Sequence, residues 1–125
     1  MNVVDSSGWL EYFASGPNSH YFADPLGKFA ELIVPTISMY EVFKKMSQQR
    51  GEDAAFDAAA LMYQGNVVPL NAELALEAAQ LSSELALPMA DSIILATAIE
   101  HGATLWTQDA DFASIDGVKY IAKKH

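Results

Sequence analysis

The sequence predicts an α/β protein with a mostly parallel sheet of four to five strands and helices on both faces. Short apolar runs alternate with helical segments along the whole chain, which is typical of such a sheet. Apolar residues make up 51% of the 125 residues and charged residues 18%, a composition that supports a core and disfavours disorder. The length favours one domain spanning residues 1–125.

Each element has a local signal. Five short aliphatic or aromatic runs have the length of buried strands: residues 2–4, 32–34, 67–68, 104–106 and 118–121. Apolar residues at helical spacing predict five helices: residues 6–14, 38–50, 53–63, 72–85 and 88–101. Gly51, Gly65 and Gly102 stand where three of these helices should stop. In the mixed segment 19–30, Asp24-Pro25 and Gly27 are expected to break any helix.

Composition also limits the function. The absence of cysteine excludes a disulfide scaffold, a thiol nucleophile and a Cys-ligated metal. No apolar run approaches the ~18–20 residues of a membrane span, and the N-terminus lacks signal-peptide features. We therefore expect a cytoplasmic protein that does not associate with a membrane. Sixteen acids against seven Lys and Arg give a net charge of −9, unlike the basic footprint of most nucleic-acid binders. The acids either solvate the surface or converge on a cation site.

Two acids have a structural alternative to a functional role. Asp5 follows the first strand, where it can cap the next helix or hold a carboxylate at the sheet edge. Glu41 lies three residues after Ser38, the spacing of a capping box, and four before Lys45, the spacing of a helical ion pair. Local sequence favours the structural alternative at both positions.

The acid at position 91 is different, because its helix is apolar almost all round and such helices are buried. A favourable helix dipole is worth only ~0.3–1 kcal/mol, whereas an unpaired carboxylate in apolar surroundings costs several. Asp91 therefore predicts a metal ion or another strong partner. Asp109 and Asp111 follow the fourth strand, where one Asp suffices for an Asx turn.

Four acids thus lie after strands or near helix starts, where a parallel sheet can bring them into one crevice: Asp5, Glu41, Asp91 and Asp109. Close carboxylates repel one another unless a counter-charge is present. Mg²⁺ or Mn²⁺ with oxygen ligands supplies that charge. The three histidines lack ligand spacing, and His101 is expected to support a helix C-terminus.

Four segments carry a family resemblance: Val4-Asp5-Ser6-Ser7, Ser38-Met39-Tyr40-Glu41-Val42, Ala90 to Ala98, and Leu105 to Phe112. In their order and spacing the chain resembles a PIN-domain ribonuclease of the VapC toxin type. The resemblance implies a three-layer α/β/α fold and an endoribonuclease that depends on Mg²⁺ or Mn²⁺. It also implies a homodimer inhibited by a small antitoxin.

The resemblance assigns site residues position by position. Asp5, Glu41, Asp91 and Asp109 match the acidic quartet that holds metal and acts in catalysis, and Asp111 is a neighbour that contributes through water. Ser6 and Thr107 match small polar positions that orient the carboxylates. The few cations leave little positive surface for RNA phosphates, which departs from expectation for an RNA-cleaving enzyme.

Two other functions remain open from the residues alone. A Mg²⁺-binding phosphoacceptor module also carries acids at strand ends, but it needs a Lys after a late strand, and Leu105-Trp106-Thr107 offers none. A non-catalytic interaction domain would account for the high apolar content, since exposed apolar patches mark partner surfaces. Cleavage of RNA that vanishes in Asp5→Asn separates the enzyme from this second alternative.

Overall fold

The computed structural model describes residues 1–124, and its sheet contains five strands that all pair in parallel. In chain order the strands are β1 (Asn2–Val4), β2 (Leu32–Pro35), β3 (Asn66–Val68), β4 (Thr104–Thr107) and β5 (Lys119–Tyr120). In space they run β3-β2-β1-β4-β5. The predicted fold class is confirmed.

Six α-helices connect the strands: α1 (Ser6–Phe13), α2 (Ser19–Leu26), α3 (Thr36–Arg50), α4 (Glu52–Met62), α5 (Ala72–Leu85) and α6 (Met89–Glu100). Short 3-10 turns cover Phe29–Glu31 and Ala110–Phe112. Among residues 1–124, no single helix is long and apolar enough to cross a membrane; α5 and α6 meet that criterion only as a pair bent by 115°.

Alternating side chains of the strands build two cores on opposite faces of the sheet. Val4 and Val34 pack on the face that also buries Trp9 of α1 and Met62 of α4. Their neighbours in sequence, such as Val3, pack on the other face against the buried centre of α6. Helix α5 covers α6 from outside through Leu74 and Ala78. The result is the three-layer α/β/α arrangement that the family resemblance implied.

Two local predictions were wrong. In segment 19–30, Asp24-Pro25 was expected to break any helix, yet α2 runs through it and ends only at Gly27. Pro25 stands in the last turn, where the missing N–H removes one hydrogen bond, and the burial of Phe22, Pro25 and Leu26 offsets that loss.

The second error concerns the start of α3, which begins at Thr36 with Pro35 as its N-cap residue. Ser38 therefore lies inside the first turn, fully buried, and the capping-box interpretation of Ser38 and Glu41 fails. Glu41 is thereby free for another contact, described below.

The order of the strands locates the functional edge. From β1 the chain moves outward through β2 and β3 on one side, then returns to place β4 and β5 on the other. Ligand crevices of open α/β sheets form at the carboxyl ends of the strands flanking such a switch, here β1 and β4. Helix α6 precedes β4, so its first turn lies at this same edge.

Candidate acidic active site

Asp5 follows β1 directly and is only 2% exposed. Its Oδ1 accepts hydrogen bonds from the Ser7 hydroxyl at 2.7 Å and the Gly8 N–H at 3.0 Å. Its Oδ2 accepts one from the Thr107 hydroxyl at 2.6 Å. Asp5 is therefore the N-cap of α1 and also a carboxylate held at the edge of the sheet, so the two alternatives from sequence describe the same residue.

Burial raises the pKa of Asp5 to about 6, although the hydrogen bonds from Thr107, Ser7 and Gly8 oppose that rise. The negative charge of Asp109 raises this pKa further. Asp5 therefore lies close enough to the other acids to feel their charge.

The loop after β4 is anchored to Asp5 at consecutive residues. The Thr107 hydroxyl, which donates to Asp5, accepts a hydrogen bond from the Asp109 N–H at 2.9 Å. The Ser7 hydroxyl, which also donates to Asp5, accepts one from the Gln108 N–H at 3.3 Å. Two hydroxyls thus fix the backbone that carries Asp109.

Asp109 makes the Asx turn predicted from sequence, since its Oδ1 accepts from the Asp111 N–H at 2.9 Å. This turn brings both side chains toward the first turn of α6. Carboxylate oxygens from Asp91, Asp109 and Asp111 all lie within 4.8 Å of one another. We call these three residues the acidic trio.

The acidic trio is strongly self-repelling. Burial raises the pKa of Asp91 to about 8, and the charge of Asp109, a hydrogen bond with Asp111 and the charge of Asp5 add to the rise. At neutral pH Asp91 therefore holds its proton unless a cation compensates the charges. Asp91 and Asp109 are half-buried and Asp111 is exposed, so the trio opens to solvent on one side.

Glu41 reaches this edge of the sheet from α3. Its Oε1 accepts a hydrogen bond from the Ser6 hydroxyl at 2.6 Å, which joins α3 to the first residue of α1, next to Asp5. The Ser6 hydroxyl thus donates to one carboxylate and the Thr107 hydroxyl to another. The acidic trio includes two residues of the predicted quartet, Asp91 and Asp109, whereas Asp5 and Glu41 stand outside it.

Sequence reasoning missed a buried amide pair beside the trio. The Asn18 Nδ2 donates to Gln108 Oε1 at 2.9 Å and to the Ala122 carbonyl at 3.0 Å. Both side chains are at least 95% buried. Asn18 was interpreted only as part of a turn, and no periodicity around Gln108 signals burial, so the sequence held no sign of this contact across 90 residues.

The acidic trio suits a hard divalent cation. Mg²⁺, Mn²⁺ and Ca²⁺ prefer oxygen ligands, and three carboxylates at this separation provide them. The raised pKa of Asp91 reflects the unfavourable energy of a negative charge at this position, and a bound cation would offset that energy. The residues present therefore fit a metal ion, without indicating which one.

Comparison with protein-family models gives a match to the PIN domain over residues 3–118. The match covers all four segments on which the sequence resemblance rests and confirms that resemblance. No curated protein sequence matches the chain.

Solved structures share the fold across nearly the whole chain. A toxin–antitoxin complex from Klebsiella pneumoniae is 24% identical, with a TM-score of 0.78 over 94% of this chain and 95% of that one. The toxin VapC20 of Mycobacterium tuberculosis, which cleaves the sarcin–ricin loop, is 18% identical, with a TM-score of 0.80 over 95% and 98%. FitAcB of Neisseria gonorrhoeae is 19% identical, with a TM-score of 0.74 over 97% and 96%.

Proposed function

Since the chain belongs to the PIN domain family, we propose that it is a VapC-type toxin, a metal-dependent endoribonuclease. The observation that carries the proposal is the acidic trio at the switch between β1 and β4, with Asp91 at a pKa of about 8. The fold shared with VapC20 and with toxin–antitoxin complexes supports the same conclusion.

The acidic residues have different roles in this proposal. Asp91, Asp109 and Asp111 would hold the ion, for which we propose Mg²⁺ or Mn²⁺, and Asp5 adds charge while fixing the loop of Asp109. A bound divalent ion activates water and stabilises the charge that builds on a phosphodiester during cleavage.

Glu41, oriented by Ser6, completes the acidic quartet in this proposal. Its free carboxylate oxygen accepts the proton of the attacking water, whose oxygen bonds to phosphorus as the bond to the leaving oxygen breaks. The leaving oxygen takes a proton from solvent. No covalent nucleophile takes part in this reaction.

The experiment is cleavage of total cellular RNA by the purified chain with Mg²⁺, with Mn²⁺ or with EDTA, followed by mapping of the cut ends. We expect cleavage with either ion, none in EDTA, and a loss of roughly 100-fold or more in Asp91→Asn. Asp116→Asn is the matched control, because Asp116 is an exposed acid in a turn and does not belong to the trio. Equal activity of Asp91→Asn and the wild type would contradict the proposal.

We further propose a homodimer that a small antitoxin holds inactive. The chain exposes two separate apolar surfaces, which suits a protein with two protein contacts. One is a groove of about 660 Å³ between α3 and α4, with Tyr40, Phe56 and Tyr63 each more than half exposed. The other is a groove between α5 and α6 that includes Leu70 and Met89, which are 43% and 71% exposed. Sedimentation should give twice 13.6 kDa, and a monomer at every concentration would contradict the dimer.

A further inference from the structure

A second, polar cavity adjoins the acidic trio on the β5 side. It measures about 440 Å³ and is lined by residues of three segments that meet there, among them Ser7, Gln108, Asp109, Tyr120 and Lys123. Asp109 belongs to both the cavity and the acidic trio, so the two are contiguous. The volume falls in the range of small-ligand sites.

Hydrogen bonding fixes which end of the Gln108 amide is available to a ligand. The Ala122 carbonyl can only accept, so the Asn18 atom that faces it must be Nδ2. The same Nδ2 faces Gln108, whose paired atom must then be the acceptor Oε1. The Nε2 group, with two N–H donors, makes no hydrogen bond to the protein within residues 1–124 and stays accessible to solvent.

An amide donor that is held in place by its own oxygen and opens into a cavity can bind a ligand. Gln108 is 95% buried as a residue and lines the cavity, so Asn18 fixes its Oε1 while its accessible Nε2 is free to donate. A ligand carbonyl or ring nitrogen entering the cavity would accept a hydrogen bond from it. The half-buried Tyr120 offers an aromatic surface and the exposed Lys123 an ammonium group on the same wall.

One cation, Lys123, lines this wall, and the C-terminal segment that carries it is rich in lysine. Three of the seven Lys and Arg residues, Lys119, Lys123 and Lys124, lie in the last seven positions of the chain. An amide donor, an aromatic ring and a cation together match a nucleotide: the amide can donate to the base edge, the aromatic ring can stack on the base, and the cation can contact the phosphate.

We propose that this cavity receives the base of the nucleotide next to the scissile phosphate of a single-stranded RNA. Gln108 Nε2 donates to an acceptor on the base edge, Tyr120 stacks on the base, and Lys123 contacts a phosphate. The proposal rests on the proposed function and adds to it a residue, Gln108, that determines sequence preference.

The direct test is a titration followed by NMR. The ¹⁵N-labelled chain, kept in EDTA so that RNA is not cleaved, receives short single-stranded homo-oligoribonucleotides, one for each base. We expect the side-chain amide resonances of Gln108 to shift, with one or two bases favoured. The amides of Gln48 and Gln80, which are exposed and outside the cavity, serve as controls and should stay in place. No shift at Gln108 with any of the RNAs would overturn the proposal.

Variants provide a second measurement. Lys123→Ala should weaken RNA binding at least roughly fivefold, whereas Lys124→Ala, its exposed neighbour outside the cavity, should have a smaller effect. Gln108→Leu should flatten the base preference at one position of the cut site while the metal-induced rise in Tm persists. An unchanged preference in a folded, metal-responsive Gln108→Leu protein would contradict the proposal.

Failure of the subsite and failure of the nuclease assignment give different results. If the wild type cleaves RNA but neither the Gln108 resonances nor the preference respond, only the subsite is wrong. If the Gln108 resonances shift but no ion supports cleavage, the nucleotide site stands and the nuclease assignment falls.

Discussion

The Thr107 hydroxyl holds Asp5 and Asp109 in place at once. It donates to Asp5 Oδ2 at 2.6 Å and accepts from the Asp109 N–H at 2.9 Å, fully buried. Replacement by an isosteric apolar group leaves a buried carboxylate oxygen and a backbone N–H unpaired, each of which costs ~1–3 kcal/mol. A single oxygen atom therefore couples the strand edge to the loop that carries Asp109.

We predict that Thr107→Val lowers the free energy of unfolding by about 1–3 kcal/mol and weakens the rise in Tm that Mg²⁺ or Mn²⁺ produces. Thr107→Ser keeps the hydroxyl and should keep the metal response, although it loses a buried methyl group. Urea denaturation and thermal scans with and without metal measure both effects. A normal metal response in Thr107→Val would show that the hydroxyl does not position Asp109.

The raised pKa values make stability depend on pH with a definite sign. The pKa of Asp5 is about 6 and that of Asp91 about 8, both above the 3.8 of an ordinary Asp carboxyl. Between about pH 4 and pH 8 the folded chain therefore binds more protons than the unfolded chain. Without metal, the free energy of unfolding consequently falls as pH rises through this range. Metal binding needs deprotonated carboxylates, so its stabilising effect should grow over the same range.

We predict that Asp91→Asn removes much of this fall, because it removes the carboxyl with the higher pKa. In EDTA its free energy of unfolding should exceed that of the wild type at pH 8, and the gap should narrow toward pH 5. Asp116→Asn, outside the trio, should keep the wild-type dependence. A variant less stable than the wild type at every pH would instead mark Asp91 as an anchor of α6.

At the level of elements, the packing of α1 depends on a residue without a side chain. A Cβ on Gly8 would lie 2.6 Å from Val4 Cγ1 and 2.7 Å from Phe22 Cδ1, and the Gly8 N–H also donates to Asp5. Helix α1 can approach β1 and α2 this closely only with glycine at position 8.

We predict that Gly8→Ala lowers the free energy of unfolding by about 1–3 kcal/mol, since α1 must move away from β1 and α2 to admit a methyl group. Gly27→Ala is the control: its backbone has a φ of −80°, and the nearest atom to a new Cβ lies at 3.3 Å. Its effect should stay within about 1 kcal/mol of zero. Wild-type stability in Gly8→Ala would contradict the close packing of these elements.

How far the sequence predicts these elements follows from the range of the interactions. The apolar surroundings of Asp91 predicted an acid with an unusual partner, because the apolar composition of α6 is a local signal. The helical state of Asp24-Pro25 was missed, since burial of α2 against distant elements outweighs the local effect of Pro25.

The site shows the same limit. Asx-turn chemistry predicted the backbone at Asp109, but the place of Asp111 in the trio depends on how the 3-10 turn faces α6. The Ser6–Glu41 hydrogen bond spans 35 residues and the Asn18–Gln108 bond 90, and neither leaves a periodic trace in the sequence. Family resemblance assigned Glu41 to the acidic site, whereas capping preference alone assigned it to a helix cap.

For the molecule as a whole, the excess of acid is largely uncompensated. Of the sixteen acids, Asp24 alone forms an ion pair within residues 1–124, with Lys28 at 3.6 Å on the surface. The field around the chain is therefore negative, and the acidic trio adds to it locally. Such a field repels RNA in general, which leaves the lysine-rich segment 119–124 beside the trio as the favourable approach.

The same field favours a basic inhibitor. An Arg suits an acidic metal site best, because its planar guanidinium donates to carboxylates in a bidentate way. We therefore predict a short antitoxin, encoded next to this chain, with a basic C-terminal part whose Arg reaches the acidic trio. Long-range attraction speeds the association of opposite charges and is screened by salt. The association rate, measured by stopped-flow fluorescence, should fall roughly tenfold or more between low and near-physiological ionic strength, while the dissociation rate changes little. An antitoxin that is acidic throughout, or an association rate that ignores ionic strength, would contradict this electrostatic account and leave the nuclease assignment untouched.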